Sequence, residues 1–270
     1  MFKFKAGFST LIAASAVAAL LGAHPVMAKE AETHDGKATV VLVHGAFAES
    51  SSWNGVAARL ESEGYPVVAA ANPLRGVKND SDYVADIVGH TPGPVILVGH
   101  SYGGTVISNA VHGQDNVKAL VYVAAFALEK GETTAELSGR YPGGTLGSAL
   151  AQPVELRNGD KDLYIQQDKF HQQFAADVPA EEAALMAATQ RPITVAALNE
   201  PAGDPAWKQL PSWFIYGTAD KNVPEAALEF MAERAGSKRT VVVKDASHVV
   251  MTSNPDKVAD LIIEAAEATK

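Results

Sequence analysis

One pattern limits this chain more than any other. Short apolar runs rich in β-branched residues recur at Thr39-Val43, Val67-Ala71, Val95-Val98, Val117-Val123, Trp213-Tyr216 and Thr240-Val243. Helical patterns lie between them, at Trp53 to Glu63, Asp82 to Gly89, Tyr102 to Val111, Pro224 to Ala235 and Pro255 to Glu267. The strand runs are near-continuously apolar rather than alternating, which suits strands covered by helices on both faces. Alternation of this kind predicts an α/β fold with a doubly wound, mostly parallel sheet. Pro224 and Pro255 fall where a first helical turn tolerates a missing amide proton.

One stretch breaks the alternation. From about Leu128 to Lys208 no strand of the main series occurs, and a βα connection is normally only a few residues long. Residues 128–207 are therefore expected to form an inserted cap subdomain on a core made of residues 38–127 and 208–268. The insertion holds a Gly/Pro-rich loop from Tyr141 to Gly147, a short hairpin pattern near Val154 to Ile165, and helical stretches around Lys169 to Ala176 and Glu181 to Gln190.

Residues 1–28 follow a different logic. Lys3 and Lys5 give a positive start, an Ala/Leu-rich run follows to about Ala23, and Val26-Met27-Ala28 offers small residues for cleavage. This predicts a signal peptide cut after Ala28, and hence a periplasmic or secreted protein that carries no membrane segment once cut. An uncleaved anchor is the competing reading, because the run approaches the length that crosses a bilayer. The chain has no cysteine, which excludes disulfides, thiol nucleophiles and thiolate metal sites. With 31 acidic against 22 basic residues and no basic run, nothing here tracks a phosphate backbone, so no nucleic-acid partner is expected.

Chemistry concentrates in four short segments. Gly99-His100-Ser101-Tyr102-Gly103-Gly104 follows the strand Val95-Val98 and opens a helix, the strand, sharp turn and helix context of a nucleophile elbow. A bare G-x-S-x-G arises by chance in roughly one chain in ten of this length, so its placement carries the argument. Ser101 is the expected nucleophile; capping of the following helix is the structural alternative. His44-Gly45-Ala46-Phe47 directly follows the first strand, where a glycine-containing turn can aim a backbone amide at a developing oxyanion. Ala46 is the chosen donor with Phe47 the adjacent possibility, and the second amide comes from Tyr102.

The base should come late, after the last strand, with the acid between nucleophile and base. Of the eight histidines only His248 stands there; His44 and His100 lie at strand ends, where an imidazole more often ties loops together. Asp220 follows the strand Trp213-Tyr216 and can accept the Nδ1 proton of His248. Asp245 is nearer in sequence, but on the same short loop it would struggle to reach the far ring nitrogen. Phe47, Phe126, Trp207 and Val249 are the candidates for contact with substrate. In the insertion, Leu163, Phe170, Phe174 and Met186 line either a pocket or the insertion's own core. The histidines are dispersed, no H-E-x-x-H spacing occurs and no G-x-G-x-x-G fingerprint is present, so neither a metal site nor a cofactor is expected.

Leu42-Val43-His44-Gly45-Ala46, Gly99 to Gly104, Tyr216-Gly217-Thr218-Ala219-Asp220 and Ser247-His248 together resemble the α/β-hydrolase superfamily, in its order, from about Ala38 to Ala266. Within it the chain is similar to the capped branch of methylesterases, hydroxynitrile lyases and pyrethroid-type esterases. The resemblance implies cofactor-free acyl transfer to water through an acyl-enzyme, and the apolar, aromatic-tinted insertion suggests a small to medium uncharged carboxylic ester as substrate. The lyases of that branch carry a threonine and a lysine where this chain has Gly45 and Val249, which argues against lyase chemistry. A cofactor-free haloperoxidase-like activity would use the same triad, and a ligand-binding protein without catalysis would keep the fold alone. Oligomeric state is not legible.

Overall fold

The computed structural model describes residues 36–270. The expected signal segment and its cleavage point lie outside the described residues. The strands are β1 (Thr39–Val43), β2 (Val67–Ala70), β3 (Val95–His100), β4 (Val117–Val123), β5 (Val154–Glu155), β6 (Lys161–Leu163), β7 (Ile193–Thr194), β8 (Ser212–Gly217) and β9 (Arg239–Val243). The helices are α1 (Asn54–Ser62), α2 (Val77–Gly89), α3 (Tyr102–Ala110), α4 (Thr134–Arg140), α5 (Leu146–Ala149), α6 (Gln167–Phe174), α7 (Ala180–Thr189), α8 (Val195–Asn199), α9 (Glu225–Arg234), α10 (Val250–Ser253) and α11 (Pro255–Ala268).

Six strands form one sheet in the order β2-β1-β3-β4-β8-β9, and every pairing in it is parallel. The chain runs from β1 outward to β2, then returns to β3 on the other side of β1. The crevice beyond the carboxyl ends of β1 and β3 is thus a topological switch point, where open α/β sheets bind their ligands. The central strands β3 and β4 are buried almost throughout, as their apolar runs require. The edge strands differ from the expectation of two covered faces: Val68 on β2 and Val242 on β9 are exposed. Helix α11 shows why the outer layer packs: Val258, Leu261, Ile262 and Ala265 recur at i, i+3, i+4 and i+7 and are all buried.

Two helix starts depart from the sequence expectation. Helix α2 begins at Val77, five residues earlier than the apolar pattern suggests, because its first amides are satisfied from far away. The Glu200 carboxylate accepts from the Val77 N–H (2.7 Å) and the Lys78 N–H (3.1 Å), so no local capping residue marks the start. Pro224 sits before α9, in extended backbone, rather than in its first turn.

Between β4 and β8 the chain builds α4 to α8 and a separate antiparallel sheet in the order β5-β6-β7. The β5-β6 hairpin lies where the pattern placed one; β7, two residues long, is too short to register as a strand in sequence. Helix α4 opens on a capping box in which the Glu136 N–H donates to Thr133 Oγ1 (3.1 Å) and the Thr133 N–H to Glu136 Oε2 (3.2 Å). Among the described residues no helix is long and apolar enough to cross a membrane.

Candidate active site

Ser101 occupies the single residue between β3 and α3, at φ 53° and ψ −124°. A non-glycine residue at positive φ is costly and persists only where its surroundings force it. Here they do. A Cβ on Gly103 would lie 2.5 Å from the Val43 carbonyl oxygen, and one on Gly99 would lie 2.6 Å from the Gly103 carbonyl oxygen. The elbow is therefore wedged between β1 and its own helix, with the Ser101 side chain turned out of the sheet.

His248 stands on the loop between β9 and α10, and Asp220 on the loop between β8 and α9. His248 Nδ1 is 2.6 Å from Asp220 Oδ2, and His248 Nε2 is 2.9 Å from Ser101 Oγ. With the proton on Nδ1, the imidazole donates to the carboxylate and its Nε2 accepts from the serine hydroxyl. The other carboxylate oxygen, Oδ1, accepts from the Asn222 N–H (2.8 Å) and the Val223 N–H (2.9 Å), so every oxygen of this buried acid is engaged. Ser101, Asp220 and His248 are each less than 9% exposed. Asp245 is exposed, and its amide donates instead to Thr218 Oγ1.

Two aromatic neighbours hold the imidazole. Phe174 of α6 lies with its ring centroid 5.2 Å from that of His248, and His100 lies at 4.8 Å on its own side. His100 Nε2 donates to the His248 carbonyl (3.1 Å), tying the elbow to the histidine loop. Burial, and then the adjacent His248, hold His100 well below the usual histidine range. His44 is also pushed down by burial, to about 4; its carbonyl accepts from Asn72 Nδ2 (2.9 Å). The His100 ring thus ties two loops, whereas the His44 ring reaches only the carbonyl of the next residue, Gly45 (2.9 Å).

The loop after β1 separates the two oxyanion candidates. The Phe47 N–H donates to the Arg191 carbonyl (2.9 Å), so it is already used, whereas among the described residues no backbone acceptor faces the amides of Ala46 or Tyr102. The Tyr102 nitrogen is 3.1 Å from where a Cβ on the adjacent Gly45 would stand. A cavity of about 70 Å³ opens between Ser101, His248 and the insertion. Its apolar wall includes Phe47, Phe126, Leu146, Leu198 and Val223, and no Lys, Arg, Asp or Glu borders it.

Trp207 and Val249 do not border this cavity. Trp207 donates from Nε1 to the Leu128 carbonyl (3.1 Å) and stacks near the Arg234 guanidinium. Arg234 in turn pairs with Glu132 (2.9 Å) and caps the Ala127 carbonyl (2.6 Å), so this cluster braces the point where the chain leaves the core. Val249 is fully buried before α10, where its carbonyl accepts from Thr252 and Ser253. Of the insertion's apolar residues, Phe170 and Phe174 form its core against His248, and Met186 borders a separate surface cleft.

Residues that sequence reading passed over also shape the site. Asp80 on α2 is buried and accepts from the Tyr102 hydroxyl (2.9 Å) and the Arg75 N–H (3.0 Å). Burial, and then Asp80, push the Tyr102 phenol upward. Asn222 and Leu146 border the cavity, the first within the Asp220-Lys221-Asn222 run and the second within the Gly/Pro-rich loop.

Comparison with known proteins agrees with this architecture. The chain is 29% identical over 247 residues to the pyrethroid hydrolase of Sphingobium wenxiniae, covering 85% of this chain and 88% of that one. It is 27% identical over 250 residues to the alpha/beta hydrolase nvfD of Aspergillus novofumigatus, covering 85% and 97%. The crystal structure of polyneuridine aldehyde esterase superposes with a TM-score of 0.73 at 17% identity, covering 84% of this chain and 98% of that one, which shows a shared fold. Residues 40–261 match the alpha/beta hydrolase family, and with a parallel sheet and a capped switch-point crevice of that fold the chain belongs to it.

Proposed function

We propose that this chain is a serine hydrolase that cleaves small to medium uncharged carboxylic esters through an acyl-enzyme. The observation that carries the reading is the continuous chain from Asp220 through His248 to Ser101, at 2.6 and 2.9 Å. His248 Nε2 accepts the Ser101 proton as Oγ attacks the ester carbonyl, while Asp220 holds the Nδ1 tautomer and stabilises the imidazolium. The amides of Ala46 and Tyr102 receive the oxyanion. His248 then protonates the departing alcohol, and a water activated by the same imidazole releases the acid.

The cavity supports the substrate class. Its wall is mostly apolar and no Lys, Arg, Asp or Glu borders it, so a charged substrate would sit desolvated and unpaired. Its volume of about 70 Å³ suits a short acyl or alkyl group. The family and the pyrethroid hydrolase relative favour hydrolysis, and Gly45 and Val249 stand where lyases of the similar branch carry functional side chains.

We also read residues 128–207 as the cap of this site and residues 1–28 as a signal peptide, giving a mature periplasmic or secreted chain that begins at Lys29. Its amino-terminal sequence after export tests the second point. The hydrolase reading is tested by incubating the purified protein with a fluorophosphonate probe, locating the labelled peptide by mass spectrometry, and following p-nitrophenyl acetate through octanoate. Labelling at Ser101 with ester turnover is expected, and Ser101→Ala should remove both while keeping its fold. Full turnover in Ser101→Ala, or no labelling of a folded sample, would overturn the assignment.

A further inference from the structure

Asn222 borders the cavity between Ser101 and the insertion, is 3% exposed, and has one side-chain atom without a partner: its Nδ2 donates to nothing. The orientation of the amide is set by its neighbours. Thr145 Oγ1 donates to Gln173 Oε1 (2.8 Å), and Gln173 Nε2 donates to the Lys221 carbonyl (3.0 Å), which can only accept. The same Nε2 lies 2.7 Å from Asn222 Oδ1, so that atom must be the oxygen and the Asn222 NH₂ must face the other way. A flip would set two NH₂ groups against each other. Gln173 belongs to α6 and Thr145 also donates its amide to the Lys221 carbonyl (2.9 Å), so the insertion itself locks this side chain.

A buried donor left unpaired is costly, and native structures retain such a group where something else satisfies it. On the reading of the site as an esterase, we propose that Asn222 is a specificity-determining residue whose Nδ2 donates to a second, neutral acceptor oxygen on the substrate. The substrate class is then an ester that carries an ether, hydroxyl or carbonyl oxygen in addition to its scissile group. Apart from the triad and the hydroxyls of Thr134 and Ser138 the remaining wall is apolar, and no Lys, Arg, Asp or Glu borders it, which suits a neutral acceptor rather than a carboxylate. An all-alkyl ester leaves the Asn222 donor unpaired, and a site built this way discriminates against it.

The test walks one oxygen along both sides of the ester. p-Nitrophenyl methoxyacetate is compared with p-nitrophenyl butanoate, and 2-methoxyethyl acetate with butyl acetate, each pair differing by one oxygen in place of one methylene. The readout is the ratio of kcat/KM within each pair, measured for wild type, Asn222→Leu and Asn222→Asp. The ratio cancels the chemical reactivity of each ester and any general change in the triad. Asn222→Asp loses the donor but keeps the oxygen that accepts from Gln173, so it also covers the case in which the leucine variant does not fold.

The expected result is a ratio that falls about tenfold in both variants for at least one pair. An unchanged ratio in both variants overturns the proposal. A fall in Asn222→Leu alone also overturns it, since the tie to Gln173 would then be the feature that matters. Wild type that is folded and turns over none of the four esters would instead remove the esterase reading, and this inference with it.

Discussion

A Cβ on Gly45 would lie 2.6 Å from the Cβ of Ser101, well inside any contact that real side chains make. It would also stand 2.7 Å from the His100 carbonyl oxygen and 3.1 Å from the Tyr102 nitrogen. The turn after β1 and the elbow after β3 are thus pressed together at the place where the two free amides meet, and only a hydrogen fits between them.

Gly45→Ala should therefore displace the elbow rather than merely stiffen a loop. Two of its three contacts are backbone, and backbone there cannot yield without moving Ser101 against His248. We expect a loss of stability of about 1–3 kcal/mol and a drop in kcat larger than any change in KM, read by thermal melts and p-nitrophenyl ester kinetics. A variant with wild-type kcat would show that the two loops separate freely. A threonine at this position, as in lyases of the similar branch, would need the same displacement.

The Asp80–Tyr102 pair supports the same amide from behind. Tyr102 supplies a proposed oxyanion donor through its backbone, while its hydroxyl donates to the buried Asp80 carboxylate on α2. Tyr102→Phe leaves that carboxylate one donor short, which should cost on the order of 1–3 kcal/mol. Asp80→Asn should cost a similar amount, because at least one amide donor then faces the backbone N–H groups of Arg75 and Gly76. Both variants should lose stability in urea titrations and show reduced kcat. Neutral stability in both would mean that the pair is not held as a bonded unit.

The core alternation and the order Ser101, Asp220, His248 were legible because each rests on local chemistry: β-branched runs, glycines around a strained turn, a histidine after the last strand. What escaped depends on contacts distant in sequence. Helix α2 starts early because Glu200, more than a hundred residues on, caps it. Asp80 lies ahead of the helix that the apolar pattern starts at Asp82, and nothing local marks it as the acceptor of the Tyr102 hydroxyl. Trp207 looked like a pocket aromatic because an indole carries no sign of which wall it will join; its N–H partner at Leu128 decides that. Phe47 and Ala46 could not be separated without Arg191, whose carbonyl takes the Phe47 amide.

Acid should destabilise the protein through its buried strand-end histidines. His44 is lowered to about 4 and His100 well below the ordinary value, both chiefly by burial. In the unfolded chain a histidine titrates near 6.5, so between that pH and about 4 the unfolded state binds more protons than the folded one. The stability is present in full above 6.5 and is lost as pH falls toward 4, with His44 alone accounting for on the order of 3 kcal/mol. Urea midpoints measured from pH 7.5 to 4.5 should fall accordingly, and His44→Gln should flatten the slope even though it lowers the midpoint at neutral pH. Identical slopes in variant and wild type would remove His44 from the account.

Asp220→Asn separates orientation from charge in the proposed triad. Asp220 Oδ1 accepts two backbone N–H groups, so the amide that replaces the carboxylate keeps its oxygen there and turns its NH₂ toward His248 Nδ1. That NH₂ donates, which forces the imidazole proton onto Nε2, the atom that must accept from Ser101 Oγ. The fold should survive, since the backbone bonds at Asn222 and Val223 remain, while kcat falls by about 10³–10⁴. Melting temperature and single-turnover acylation together check this. A fall below tenfold with an intact fold would mean that His248 does not depend on Asp220 for its tautomer.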